Sequence, residues 1–270
     1  MNNDILVKRS KSLRKKIFKS VYYGNGGHIG GSFSVIDILN YLYSEILSFD
    51  SKKPNLESRD RLILSKGHSC LALYWTLAEF GFFDEKLIHS YGTDGSVFAG
   101  HPEFNKGNGI EISSGSLGHG PSIGVGIAHA LKLRNIKSRV FVIVGDGESN
   151  EGSVWEAAMS AAQLRLDNFY IIVDNNGMES LDRTDKIMSI EPIDKKFSAF
   201  GFDVARTNGH DFNQIHDSFQ KLNILNEKPK CLISDTIKAN GLSFTQGIAK
   251  WHFRAPNDHE FELGLKELSQ

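Results

Sequence analysis

Residues 139–158 read RVFVIVGDGESNEGSVWEAA: a run of large apolar side chains, a turn in which two glycines flank an acid, and a stretch with helical spacing. A short, continuously apolar run suits a strand buried on both faces, and a helix following so closely makes it the start of a β-turn-α unit in a parallel sheet. Four further runs have the same character: RLILS (61–65), FYIIVD (169–174), FDVARTN (202–208) and CLISDTI (231–237). They sit among helical patterns at Ile5–Tyr22, Val35–Leu47, Cys70–Phe80, Ser122–Arg134 and Ser153–Leu164. This alternation predicts an α/β fold with a parallel sheet flanked by helices, and such sheets bind ligands at the carboxyl ends of their strands. No repeat, low-complexity segment or linker interrupts the pattern, so residues 1–270 are expected to form one domain.

Composition narrows the function classes. With 40% hydrophobic residues and 26 glycines in 270, the chain can bury a large core. Its 31 basic and 32 acidic residues nearly cancel, so the positive balance expected of a nucleic-acid binder is missing. The basic run VKRSKSLRKK (7–16) lies within a helical pattern and reads as a solvated helix face. No window approaches the roughly 18 unbroken apolar residues of a membrane span, and the N-terminus has no apolar signal core. A cytoplasmic location without a membrane partner is expected. Cys70 and Cys231 lie in apolar stretches and suit reduced core thiols.

The turn after the 139–144 run fits neither familiar phosphate loop. Gly145 and Gly147 are followed by Asn150 where a dinucleotide fingerprint needs its third glycine, and the P-loop pattern occurs nowhere. What remains is a carboxylate, Asp146, at a strand end. An acid can share a site with phosphate when a hard cation lies between them, since magnesium commonly bridges one or two protein oxygens to substrate phosphates. The next strand ends in Asn175, Asn176 and Gly177, with Asn176 thirty residues after Asp146. Parallel neighbours would bring these ends together. Two unrelated turns rich in glycine and asparagine are the plainer alternative.

A GDG followed after about thirty residues by an asparagine at a strand end resembles the thiamine diphosphate fingerprint. Six stretches, GHIGGSFSVIDILNYLY (27–43), LSKGHSCLALYWTLAEFGFF (64–83), GHPE (100–103), SSGSLGHG (113–120), GDGESNEGSVWEAA (145–158) around that GDG, and WHFRAPND (251–258), resemble the successive motifs of the transketolase family, in family order. The likeness is greatest to the amino-terminal subunit of split transketolases, which corresponds to the diphosphate-binding domain of the full-length enzymes. The resemblance implies thiamine diphosphate and Mg2+, or Ca2+ or Mn2+ in its place, as cofactors. It implies Asp146, Asn176 and the carbonyl of Met178 as metal ligands, and Lys66, Gly147 and Lys238 near the diphosphate. Gly115 and Leu117 match the segment beside the cofactor rings, and Glu151 matches an acid at the subunit interface that helps link two cofactor sites. His28, His68, His101 and His252 match the active-site histidines. Imidazole suits proton transfer near neutral pH, which the cofactor's electron-sink chemistry demands of the protein. A zinc cluster would be the rival use of these histidines, but their spacings match no compact zinc motif.

The implied reaction moves a two-carbon ketol (glycolaldehyde) unit from a ketose phosphate to an aldose phosphate. The family's glutamate that activates the cofactor belongs to a pyrimidine-binding domain, and no second α/β unit follows before Gln270. A separate carboxy-terminal subunit is therefore expected to supply it, in an α2β2 assembly. Two departures bear on specificity: His119 stands where the family usually has glutamine, and the small residues after His28 match split subunits better than single-chain enzymes. A transketolase-like enzyme for an unusual or nucleotide-linked sugar in surface polysaccharide synthesis is one alternative. A non-catalytic cofactor-binding partner is another. His210 and His216, in GHDFNQIHDSFQ, read as ordinary helix-start and surface residues.

Overall fold

The computed structural model describes residues 1–269. Five strands, β1 (Arg61–Leu64), β2 (Val140–Gly145), β3 (Phe169–Asn175), β4 (Asp203–Asn208) and β5 (Lys230–Asp235), pair in parallel in the order β1-β2-β3-β5-β4. The helices are α1 (Asn3–Tyr23), α2 (Ile29–Tyr41), α3 (Cys70–Glu79), α4 (His119–Leu133), α5 (Gly152–Gln163), α6 (Thr184–Ile187), α7 (Ile193–Ala199), α8 (Phe212–Leu222) and α9 (Asp258–Glu267). Every expected strand is present, within two residues at each end.

Side chains alternate across a strand, and here both faces are covered. Leu64, Phe141, Ile143 and Ile172 pack into one core with α1, α2, α3, α8 and α9, whereas Ile63, Val142, Val144 and Ile171 pack into a second with α4, α5 and α7. This explains why β2 and β3 read as unbroken apolar runs. Burying each such side chain contributes on the order of 2 kcal/mol. β4 lies at the edge of the sheet and is less buried, and its Arg206 bonds Asp235 and Glu191, each at 2.8 Å. Charge on an edge strand discourages pairing with another chain. The cysteines are buried and unbridged; burial pushes the Cys70 thiol up to about 12 and raises that of Cys231.

Three departures from the expectations have identifiable causes. Helix α2 begins at Ile29, six residues before the predicted Val35, because Gly30 and Gly31 are helical here despite their weak propensity. A Cβ at Gly31 would lie 2.6 Å from Ser69 Oγ, so close packing against the β1–α3 turn overrides propensity. The basic run on α1 is not wholly solvated. Arg14 is buried and donates to both Asp37 oxygens, at 3.0 and 2.6 Å. His210 precedes α8 as expected but is no ordinary helix-start residue, since it bonds Asp37 and the backbone of Ile237; His216 meets Tyr41 Oη at 2.9 Å. Partners so distant in sequence leave no local pattern. No helix among the described residues is long and apolar enough to cross a membrane.

Candidate active site

The carboxyl ends of β1, β2, β3 and β5 open onto a cavity of about 240 Å3. Its wall brings together ten of the thirteen candidate residues: Lys66, His68, Leu117, Asp146, Gly147, Glu151, Asn176, Met178, Lys238 and His252. The other three adjoin it. His28 stands 5.2 Å, ring centre to ring centre, from both His68 and His252, and 6.0 Å from His101, while Gly115 packs on His101. A larger hollow of about 490 Å3 lies beside α1, but it holds no strand end, and its Lys16 and Glu85 are paired with each other. His119 is exposed at the first residue of α4 and is not among the cavity's lining residues.

Strand register places Gly145 opposite Asp174, so the turns after β2 and β3 lie side by side. Asp146 accepts from Gly147 N at 3.0 Å and from Gly177 N at 2.6 Å. Burial and the neighbouring Asp174 charge push its carboxyl up to about 6. Among the described residues its direct hydrogen bonds come from peptide N–H groups, while the Lys66 charge acts on it without a direct bond. The Asn176 side-chain oxygen accepts from Met178 N at 3.1 Å. Among the described residues no three or more His, Cys, Asp or Glu side chains group to hold a metal, so a cation here would rely on carboxylate, amide and peptide oxygens. That donor set suits a hard cation.

Two lysines bring positive charge. Lys66, almost wholly buried, pairs with Asp174 and donates to Gly31 O at 3.3 Å. Lys238 donates to Glu179 O at 2.6 Å and meets His252 Nδ1 at 3.0 Å. Burial and then the Lys66 charge lower Lys238 to about 8. Burial, with nearby positive charge, also lowers His252 to about 4 and His28 to about 3, and depresses His68. These three rings are therefore neutral at pH 7, each with one donor and one acceptor nitrogen. His28 Nδ1 is buried with no hydrogen-bond partner among the described residues.

Two acids escape a reading of the sequence alone. Asp174 is hidden in an apolar strand, yet it receives Lys66, Ser34 Oγ at 2.6 Å, Thr236 Oγ1 and Asn176 Nδ2 at 3.4 Å. Burial would raise its carboxyl, but the Lys66 charge and these donors hold it below the usual value. Glu148 accepts from Ser65 Oγ, Gly118 N and Gly145 N, tying the ends of β1 and β2 to the segment carrying Leu117. A charged residue inside a run that must be buried is the available signal for Asp174.

The chain is similar to known proteins over nearly its whole length. The family model described as the thiamine diphosphate binding domain of transketolase matches residues 8–267. The chain is 39% identical over its whole length to a protein of Phocaeicola vulgatus named as one of the subunits of apulose-4-phosphate transketolase, covering 96% of that protein. It is 34% identical to a protein of a Clostridium species named as one of the subunits of 6-deoxy-6-sulfo-D-fructose transketolase, covering 98% of this chain and 96% of that one. The crystal structure of transketolase from Campylobacter jejuni superposes with a TM-score of 0.92 at 29% identity, over all of this chain and 43% of that one. The chain thus spans less than half the length of that enzyme. With matches that run nearly end to end, the chain belongs to the transketolase family as its thiamine diphosphate-binding part.

Proposed function

We propose that this chain is one subunit of a transketolase that moves a two-carbon ketol unit from a ketose phosphate to an aldose phosphate, with a separate carboxy-terminal subunit completing each site in an α2β2 assembly. The observation that carries the reading is the convergence, at one cavity, of Lys238, the buried carboxylate of Asp146 and a cluster of four histidines that line or adjoin it. The residues fit the cofactor. Asp146, the Asn176 carboxamide and the Met178 carbonyl would hold Mg2+, while Lys238 and the Gly147 backbone would face the diphosphate, with Lys66 adding charge from the buried floor. Bound thiamine diphosphate supplies the electron sink for breaking and remaking a carbon–carbon bond.

The chain's own side chains do the rest. Neutral His28, His68 and His252 each offer one donor and one acceptor nitrogen that would bind and orient sugar hydroxyls, and His101 adjoins the same cluster. Leu117 and Gly115 would stand beside the cofactor rings. Leu117 is 36% exposed and Leu181 82% exposed in this chain, and a partner subunit would cover them. Glu151 would face another subunit. The naming of the relatives as subunits supports the partnership.

The relatives also favour a second reading of the substrate: both are named for uncommon sugars, apulose 4-phosphate and 6-deoxy-6-sulfo-D-fructose. His119 is not among the lining residues, though it follows Leu117 closely, and gives that reading no support. The experiment is to reconstitute the chain with its partner and assay fructose 6-phosphate and xylulose 5-phosphate beside those two sugars. Turnover of the common pair supports the general enzyme, and turnover of an uncommon sugar alone supports the specialised one. Unchanged turnover after Asp146→Ala would overturn both in favour of a non-catalytic partner.

A further inference from the structure

The segment Asn208–Asp211, NGHD, joins β4 to α8 outside the cavity. Asp211 caps α8, accepting from the N–H groups of Asn213 and Gln214. Gly209 seats the turn against β5: a Cβ there would lie 2.1 Å from Ser234 Oγ, and its N–H donates to Asp235 O at 2.7 Å. This seating turns His210 inward. Its Nε2 accepts the backbone N–H of Ile237 at 2.9 Å, and its Nδ1 lies 2.7 Å from Asp37 Oδ2. A peptide N–H can only donate, so Nε2 carries the lone pair and Nδ1–H donates to Asp37. Arg14 fixes that carboxylate in turn, through both of its oxygens.

Ile237 immediately precedes Lys238. The segment around them is tied down residue by residue: Thr236 N–H donates to Asn175 O at 3.0 Å, Thr236 Oγ1 to Asp174, Ile237 N–H to His210, and Ala239 N–H to Gly30 O at 3.0 Å. Ala239 is buried at φ 60°, a left-handed conformation that residues with a Cβ resist. The turn therefore holds a shape it would not keep without its ties.

The geometry points to His210 as a positioning residue: fixed in one tautomer by Asp37, it anchors through Ile237 N–H the strained turn that aims Lys238 at the cofactor's diphosphate. This rests on the reading of the cavity as a thiamine diphosphate site. His210 itself does not line that cavity, so its effect passes through Lys238.

Calorimetric titration of the full chain, assembled with its partner subunit, with thiamine diphosphate and Mg2+ tests it. In His210→Asn the side-chain amide keeps a donor near the Nδ1 position and loses the acceptor that meets Ile237; in His210→Gln the longer amide returns an acceptor to that place. His210→Asn is expected to weaken binding about tenfold, equivalent to ~1.4 kcal/mol, with an unfolding midpoint in urea close to that of the unsubstituted chain. His210→Gln restores most of the affinity. In a Lys238→Ala background, His210→Asn costs nothing further, because the two act as one unit. Unaltered affinity in His210→Asn, or a tenfold loss that persists in Lys238→Ala, overturns the inference. Failure of the unsubstituted chain, assembled with its partner subunit, to bind the cofactor would overturn the reading of the cavity and this inference with it.

Discussion

Asp174→Asn probes the floor of the cavity. The Asp174 carboxylate is 1% exposed and so is Lys66, and each is the other's ionic partner. The substitution keeps shape and volume. Its amide oxygen can replace Oδ2 as acceptor for Ser34, and its nitrogen can donate to Thr236 Oγ1. What it removes is the charge that directly pairs with Lys66, leaving a buried ammonium group without its bonded counterion. Breaking a buried pair from one side costs about 3–5 kcal/mol. With an unfolding entropy of about 2.1 cal/mol/K per residue over this length, that corresponds to a fall of about 5–9 °C in Tm. The assay is urea and thermal unfolding of the unliganded chain at pH 7, followed by circular dichroism. Lys66→Met added to Asp174→Asn should recover most of the loss, to within about 2 kcal/mol of the unsubstituted chain, because the pair is then replaced by groups that need no counterion. If the costs of the two substitutions simply add, the pair is not coupled and the reasoning fails.

Other consequences are equally specific. Burial opposes ionisation of Asp37, but Arg14 and His210 hold its carboxyl well below the usual range. A depressed folded-state pKa means a stabilising contribution that is complete above the unfolded value of about 3.9 and is lost as pH falls further. Asp37→Asn, which cannot titrate, should be about 3 kcal/mol less stable at pH 7, and its deficit in urea unfolding should shrink below pH 4; a deficit independent of pH would contradict the pairing. Asp146→Ala should abolish magnesium-dependent binding of thiamine diphosphate in calorimetry while leaving the fold intact by circular dichroism, and unchanged binding would place the cation elsewhere. Glu148→Ala leaves the Gly118 and Gly145 N–H groups and the Ser65 hydroxyl without their shared acceptor. It should lower stability by about 2–3 kcal/mol in urea, and a loss below about 0.5 kcal/mol would show that the three-way tie carries no load.

The sheet is legible in the sequence because its strands are short and apolar on both faces, and the spacing of Asp146 and Asn176 follows from adjacent parallel strands. The cavity residues come through resemblance to a family; spacing alone would not gather histidines from positions 28, 68, 101 and 252. What stays hidden depends on partners far apart in the chain. Helix α2 starts early because Gly31 meets Ser69, and Arg14 is buried because Asp37 faces it from the next helix. His210 looks like any residue before a helix cap until the fold sets Asp37 on one side of its ring and Ile237 on the other. Asp174 is concealed differently: it lies in an apolar run, and only the sheet shows that its side chain meets Lys66 rather than solvent.

The central claim is that this chain grips the diphosphate end of the cofactor while the other end is activated by a second subunit. The most direct measurement is the rate of ketol transfer, with thiamine diphosphate and Mg2+ present, as the partner subunit is titrated into a fixed amount of this chain. No turnover is expected from the chain alone, and the rate should rise to saturation at one partner per chain. Full turnover by the chain alone, or none at any ratio with a partner that forms a stable complex, would contradict it.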